Sequence, residues 1–487
     1  MRLSKSRYTA GLQCHKLLWW RVHEPEAPEL TPGRELQARF DQGSRVGAAA
    51  RDYVPGGVLI DLPYDQMKEK VAATRRALDS GARVVYEASF FADRVFAAVD
   101  ILERRDGGVG LIEVKSSTKL KDEHIPDAAI QAHVLRQSGL RVTRAEVMHL
   151  NRACVHPDLR DLFVRADVTA EVEGLLPGVP STIATQLAML GGPLPQVPIG
   201  EHCTTPYPCP FMARCWPRLP QHHVSTLYYV GRKAADLVAR GYETIDQLPP
   251  GLMPNPAADR QRRSVLANRL IVEGDLEHAL EGFEPPLAFL DFETVQPAIP
   301  LWNGCRPYDQ IPAQFSCHAQ RANGTIAHHE WLADGPGDPR PEIAPRIVAA
   351  CRGARTVVAY NMDFERRGIE ILAAAVPELR AELADIAERL ADPLPVVRDH
   401  IYHPAFGGSF SLKKVLPALV PGLGYEDLEI AGGTSASLEL ERLMFDGGSL
   451  APGEKERLRA ALSDYCALDT RGLVALLERI RSLAGGA

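Results

Sequence analysis

Two groups of side chains in this chain have the types and spacing that metal-assisted phosphodiester hydrolysis requires. The first is Asp100 together with Glu113-Val114-Lys115. Residues two apart on a strand face the same side, so Glu113 and Lys115 project together, and Asp100 ends a neighbouring apolar run from which it can reach that side. Two carboxylates can hold Mg²⁺ or Mn²⁺ through oxygen, while the lysine steers an attacking water. Glu87, on the strand before, reads either as an extra ligand or as a solvated charge. Gln131 lies in a helical stretch, 127–137, where its amide can orient the water or a phosphate.

The second group is assembled from remote segments. Asp291 and Glu293 sit two apart on the strand 287–294, Glu365 follows Asn361 and Phe364 at a helix start, and Tyr465 and Asp469 lie four apart on a C-terminal helix, 454–481. A spacing of four stacks Tyr465 and Asp469 on one helical face. Four carboxylates and a tyrosine suit a two-ion mechanism, in which one ion activates water and the other stabilises the leaving oxygen. Upstream, the glycine loop 406–411 runs into a helix carrying Lys413, which reads equally as a phosphate contact or as part of a capped surface helix.

Cysteine forms a third pattern. Of nine cysteines, Cys154, Cys305, Cys317, Cys351 and Cys466 are scattered and read as small core residues. Cys203, Cys209 and Cys215 fall in a short proline-bracketed loop, and Cys14, on the amphipathic stretch 8–23, is the candidate fourth thiolate. Such a set suits iron–sulfur or zinc, although zinc favours cysteine pairs closer together than these.

The elements that must position these groups follow from turn chemistry and periodicity. Asp106-Gly107-Gly108 separates two apolar runs and predicts a hairpin. Strands are expected at 84–90, 310–317, 326–331 and 356–360, and short helices around glycine turns between 222 and 286. The last region reads as a helical linker or as a helix-hairpin-helix element able to grip phosphate.

With 487 residues, 45% hydrophobic and 24% charged, the chain suffices for two or three domains. A net charge of −7 argues against nucleic-acid binding through bulk charge, yet leaves room for local basic grooves at 115–121 and 260–269. No apolar run approaches membrane-spanning length and the first residues lack a secretion signal, so a cytoplasmic protein with no membrane partner is expected.

In order and spacing, Asp100, Glu113-Val114-Lys115 and Gln131 resemble the PD-(D/E)XK core of RecB-like nucleases, especially the CRISPR-associated adaptation nucleases. The resemblance implies Asp100, Glu113 and the Val114 carbonyl as metal ligands, Lys115 as catalytic and Gln131 as its support. Two departures stand out: the stretch 43–47 lacks the usual metal-binding histidine, and Leu135 replaces an aromatic residue. One cysteine before this core and three after it are similar to the iron–sulfur members of the family, which implies a [4Fe–4S] cluster on Cys14, Cys203, Cys209 and Cys215. The later segments resemble the DEDD exonucleases of the RNase H-like fold. That implies Asp291, Glu293, Glu365 and Asp469 as ligands and Tyr465 as the orienter of water, with Glu365 standing where an aspartate is usual.

The resulting expectation is an α/β multidomain protein. It comprises a RecB-like nuclease domain at 1–221, a helical linker at 222–286 and an RNase H-like DEDD domain at 287–487. Its expected activity is metal-dependent exonucleolytic hydrolysis of single-stranded or partly unwound DNA, in repair, recombination or defence. No Walker-type phosphate loop is present, so unwinding would fall to a partner helicase or another repair or defence protein. The alternatives are a chain in which only the DEDD site is active and the N-terminal domain binds DNA, an enzyme acting on RNA, and a non-catalytic adaptor.

Overall fold

The computed structural model describes residues 1–485 apart from 64, 217, 232, 322 and 431. The chain is mixed α/β and divides into two units, residues 1–217 with 297–308, and residues 218–296 with 309–487. The region 222–286 therefore folds with the C-terminal part of the chain.

The first unit is built on a sheet of seven strands among the described residues. Val84–Ala92, Val95–Arg105 and Gly108–Lys115 form an antiparallel meander, and Gly108–Lys115 then pairs parallel with Val142–Leu150. Asp106 and Gly107 close the second hairpin, where Gly107 at φ +77° takes the left-handed backbone that glycine adopts without steric cost. The parallel pair needs a crossover, which helix His124–Gln137 supplies. Alternating residues feed two cores. Leu102, Leu111 and Val147 pack with Ile130 and Val134 of that helix, while Ile101, Ile112 and Met148 pack with Val46 and Ala298. Burial on both faces, about 1.5–3 kcal/mol for each large aliphatic side chain, holds the strands that carry Asp100, in mid-strand, and Glu113.

One expected element is divided. The stretch 8–23 forms two helices, Lys5–Gln13 and His15–His23, because Cys14 between them is extended at φ −161° and ψ 125°. Helix His124–Gln137 also begins a turn earlier than its sequence pattern suggests.

The second unit has a five-stranded sheet among the described residues. Its order is Ile326–Leu332, Ile311–Gln320, Leu287–Val295, Thr356–Val358 and Leu390–Ala391, antiparallel across the first two pairings and parallel across the last two. Ala288, Leu290 and Phe292 of the central strand enter a core with Ile343, Ile347, Ile369 and Leu372. Asp291 and Glu293 consequently face the other side, against which the 33-residue helix Pro452–Ala484 packs. Two contacts pin that helix to strand Ile311–Gln320: Gln314 Nε2 donates to the Leu462 carbonyl at 2.8 Å, and the Ser316 and Thr470 hydroxyls lie 2.7 Å apart. Helix Asp363–Ala375 approaches the sheet through Gly368, where an added Cβ would stand 3.0 Å from Phe292. Glu365 lies one turn before that contact and is carried to the sheet by it.

Between strands Leu287–Val295 and Ile311–Gln320 the chain makes an excursion, 297–308, that belongs to the first unit. There Ala298 packs with Met148, Leu150 and Phe163, and the Tyr308 hydroxyl donates to the Ser116 carbonyl at 2.7 Å. No helix among the described residues is long and apolar enough to cross a membrane.

Candidate functional site

The second unit gathers its carboxylates at the end of the central strand. Asp291, Glu293 and Asp469 each offer a ligand atom within 4.8 Å of the other two, the one such set of three among the described residues. Glu293 and Asp469 are buried, at 6% and 8% exposure. Burial first, then the charge of Asp469, pushes the Asp291 and Glu293 carboxyls far above the usual range. Asp469 is raised to about 6, burial being opposed by a hydrogen bond from Tyr425 and the charge of Lys413. Like charges held this close out of water call for a cation.

Glu365 stands beside this trio. Its carboxyl is raised to about 8, mainly by burial and further by the charges of Asp392 and Asp469. It is 2% exposed, and its Oε2 has no hydrogen-bond partner. A buried oxygen left without a donor is costly unless something else satisfies it, and a hard divalent cation does so. Asn361, at φ +60°, and Met362 donate their N–H groups to Asp392 at 3.0 and 3.2 Å, which fixes the entry to the Glu365 helix. Phe364 packs half-buried on the core behind it.

Three further side chains complete the pocket. Tyr465 is buried one turn from Asp469 on the same helix, its ring 6.1 Å from that of Tyr425. Lys413 holds its ammonium 4.9 Å from the Tyr465 ring centre and 5.5 Å from that of Tyr425. Burial lowers its pKa against the pull of Asp469 and Glu293. The Ser411 side chain does not cap the Lys413 helix. Tyr425, which donates to Asp469, and Asp392 lie in irregular sequence with no periodic mark and were not foreseen from the residues.

In the first unit the sequence-derived residues also meet. The Asp100 carboxylate accepts from the Val114 N–H at 2.6 Å. Glu113, 2% exposed, accepts from Gln131 Nε2 at 2.6 Å and pairs with Lys115 at 2.9 Å. Lys115 also pairs with Asp127, and Gln131 is fixed by the Asp127 carbonyl at 2.9 Å. The unforeseen member is Lys5, whose Nζ lies 2.7 and 2.9 Å from the two oxygens of Glu113. Burial raises the Glu113 carboxyl, but the charges of Lys5 and Lys115 outweigh it and hold the group well below the usual range. Asp100 is pushed up to about 7 by burial and the charge of Glu113. Glu87 adds to that push from a left-handed backbone, φ +57°, beside Asp100. The donor set is oxygen-rich, yet both Glu113 oxygens already accept from cationic or amide donors. A cation ligated by Glu113 would compete with Lys5 for its oxygens.

Cys14, Cys203, Cys209 and Cys215 line one pocket of the first unit together with Leu17 and Trp20. Burial, and next the neighbouring cysteines, push the Cys209 and Cys215 thiols up. No three of these sulfurs close to within 4.8 Å. Gln13 ties the N-terminal helix to this loop by donating to the His202 and Tyr207 carbonyls at 2.8 and 2.7 Å.

A comparison with curated proteins finds no match. Residues 288–411, which contain Asp291, Glu293 and Glu365 but stop short of Asp469, match the family model described as a domain of unknown function (DUF2779).

Proposed function

We propose that the chain is a metal-dependent nuclease whose principal active site is the carboxylate cluster of the second unit, on an RNase H-like DEDD framework. The observation that carries this reading is the convergence of Asp291, Glu293 and Asp469 beside the unpartnered Glu365 oxygen. These four side chains would hold Mg²⁺ or Mn²⁺, which supply charge to the scissile phosphate and make water acidic enough to attack near neutral pH. Tyr425 fixes the orientation of Asp469, and Tyr465 would hold the attacking water. Lys413 offers its positive charge to the phosphate. The substrate class is single-stranded or partly unwound DNA, with RNA as the alternative.

The first unit is read as a PD-(D/E)XK domain in which Asp100, Glu113 and the Val114 carbonyl are the ligands, Lys115 the catalytic lysine and Gln131 its support. The grip of Lys5 on Glu113 favours the second reading, in which this unit mainly binds nucleic acid. Four thiols around one pocket fit a metal centre. Four thiolates can hold zinc or a polynuclear iron–sulfur cluster, and the wide sequence spacing of Cys203, Cys209 and Cys215 favours the cluster.

The test uses single strands labelled at either end, of DNA and of RNA, with Mg²⁺ or Mn²⁺. Loss of hydrolysis in Asp469→Asn with retention in Lys115→Ala is expected. Full hydrolysis by Asp469→Asn overturns the assignment, and preferential RNA cleavage changes the substrate.

A further inference from the structure

Tyr229 is held in an exposed and strained position, its ring edge to face with that of Tyr228 at 4.5 Å. Its side chain is 81% exposed and its backbone is left-handed at φ 53°. A bulky residue in that region is strained, and an exposed turn position of this kind is better served by glycine or asparagine. The strain is nevertheless enforced from both sides. Gln261, fully buried, accepts the Tyr228 N–H at 2.8 Å, and Asn255 donates to the Tyr228 carbonyl at 3.0 Å. Both clamps are themselves fixed: Asn255 caps helix Pro256–Ala267 through the Ala258 N–H at 2.9 Å, and Gln261 donates to the Thr226 carbonyl at 2.8 Å.

The ring borders an open cavity of about 580 Å³ that is lined by Tyr228, Tyr229, Asn255, Arg260, Arg398 and Asp399 among others. That volume falls in the range of small-ligand sites. Arg398 and Asp399 pair in two bonds of 2.8 Å. Arg260 is spent on Glu273 at 2.7 Å and on the carbonyls of Arg398 and Asp399, so it builds the wall. The cavity thus offers an aromatic face and a nearly neutral edge with both donors and acceptors. A phosphate wants unspent cations, whereas a nucleobase wants a flat surface and a mixed polar edge.

A relay of contacts links the cavity wall to the elements that carry the carboxylates of the same unit. Tyr228 meets Phe410 edge to face at 4.8 Å, and the Phe410 carbonyl accepts from the Tyr360 hydroxyl at 2.5 Å. Tyr360 immediately precedes the Asn361–Met362 pair bound to Asp392, and Lys413 lies one turn of chain beyond Phe410.

We propose that Tyr229 and the Arg398–Asp399 edge form a nucleobase-stacking subsite that grips a single strand as it feeds the carboxylate site. This rests on the nuclease reading above. The test measures binding of a fluorescent single-stranded DNA of about 12 nucleotides, with Ca²⁺ replacing Mg²⁺ to suppress cleavage, to the full chain and its variants. Tyr229→Ala should weaken binding about 5- to 150-fold, and Tyr229→Trp should restore it. Tyr229→Gly should weaken binding equally while raising the melting temperature, because it relieves the left-handed strain. An abasic version of the strand should bind the native chain more weakly and Tyr229→Ala no differently. Unchanged affinity in Tyr229→Ala, or no preference for intact over abasic strands, overturns the subsite alone. Absence of binding by the native chain to both this strand and an RNA of the same sequence overturns it together with the nuclease reading.

Discussion

Lys5 and Glu113 stand 108 positions apart in the chain, yet the lysine ammonium lies within 2.9 Å of both carboxylate oxygens. The lysine thus occupies the charge that a metal ion would otherwise supply to this carboxylate. Removing it with Lys5→Met should tighten Mn²⁺ binding by the first unit while lowering stability by about 1–3 kcal/mol, the usual worth of a charge-assisted bond. Calorimetric titration with Mn²⁺ in a background carrying Asp291→Asn, Glu293→Gln and Asp469→Asn, which removes the carboxylate trio of the other site, checks it. Weaker Mn²⁺ binding would instead mean that Lys5 helps to build the metal site.

The carboxylate trio predicts opposite effects on activity and stability. Asp469→Asn should cut hydrolysis by about 10²–10³-fold, the scale of losing one electrostatic stabiliser of the transition state. The same change removes a buried like charge, so the metal-free variant should melt higher than the native chain. A lower melting temperature would show that Asp469 serves mainly in packing.

Tyr425 is a specific test of orientation. Tyr425→Phe deletes the bond to Asp469 and keeps the ring. A loss of about 10–100-fold in Mn²⁺ affinity or activity is expected, as for other groups that orient a ligand. Unchanged metal titrations would leave Tyr465 as the one needed tyrosine.

Proton linkage gives a fourth test. Glu365 titrates at about 8 in the fold against an ordinary 4.5. Between those values the native state holds a proton that the unfolded chain has released, so stability falls as pH rises. His124 and His318, both held near 4, act in the opposite sense below about 6.5. The clear window is therefore pH 6.5 to 8. Metal-free protein should lose melting temperature across it, Glu365→Gln should lessen the loss while Asp291, Glu293 and Asp100, raised in the same direction, keep the remainder, and Mn²⁺ should raise the melting temperature more at pH 8 than at pH 6.5.

The cysteine pocket joins Cys14 to a loop near residue 215. A metal cross-link closing so long a segment is worth about 5 kcal/mol by loop-closure entropy. Cys14→Ser should therefore abolish any broad absorption near ~400 nm in anaerobically purified protein and destabilise the first unit, with the second unit's hydrolysis retained. Stoichiometric zinc with no such absorption would replace the iron–sulfur reading.

What was legible in the sequence depended on local regularity. Alternation on strands placed Asp291 beside Glu293 and Glu113 beside Lys115, and the helical repeat placed Tyr465 one turn from Asp469. The Asp106-Gly107 turn set the hairpin that brings Asp100 to Glu113. Long-range partners left no such trace. Lys5 looks like any basic residue on a short helix, and Tyr425 and Asp392 act from segments whose course only the folded chain determines. Cys14 likewise interrupts an uninterrupted-looking amphipathic pattern, because its extended backbone answers to the pocket and not to periodicity.

The loop 297–308 has a practical corollary for anyone dissecting the protein. A cut before residue 287 leaves a C-terminal fragment still carrying Ala298, Trp302 and Cys305, apolar groups whose cover lies in the discarded half. Such a fragment should aggregate, whereas one with 297–308 replaced by a short glycine–serine bridge should remain dispersed. Interleaving of this sort means that a gene break at any single point cannot yield both halves intact.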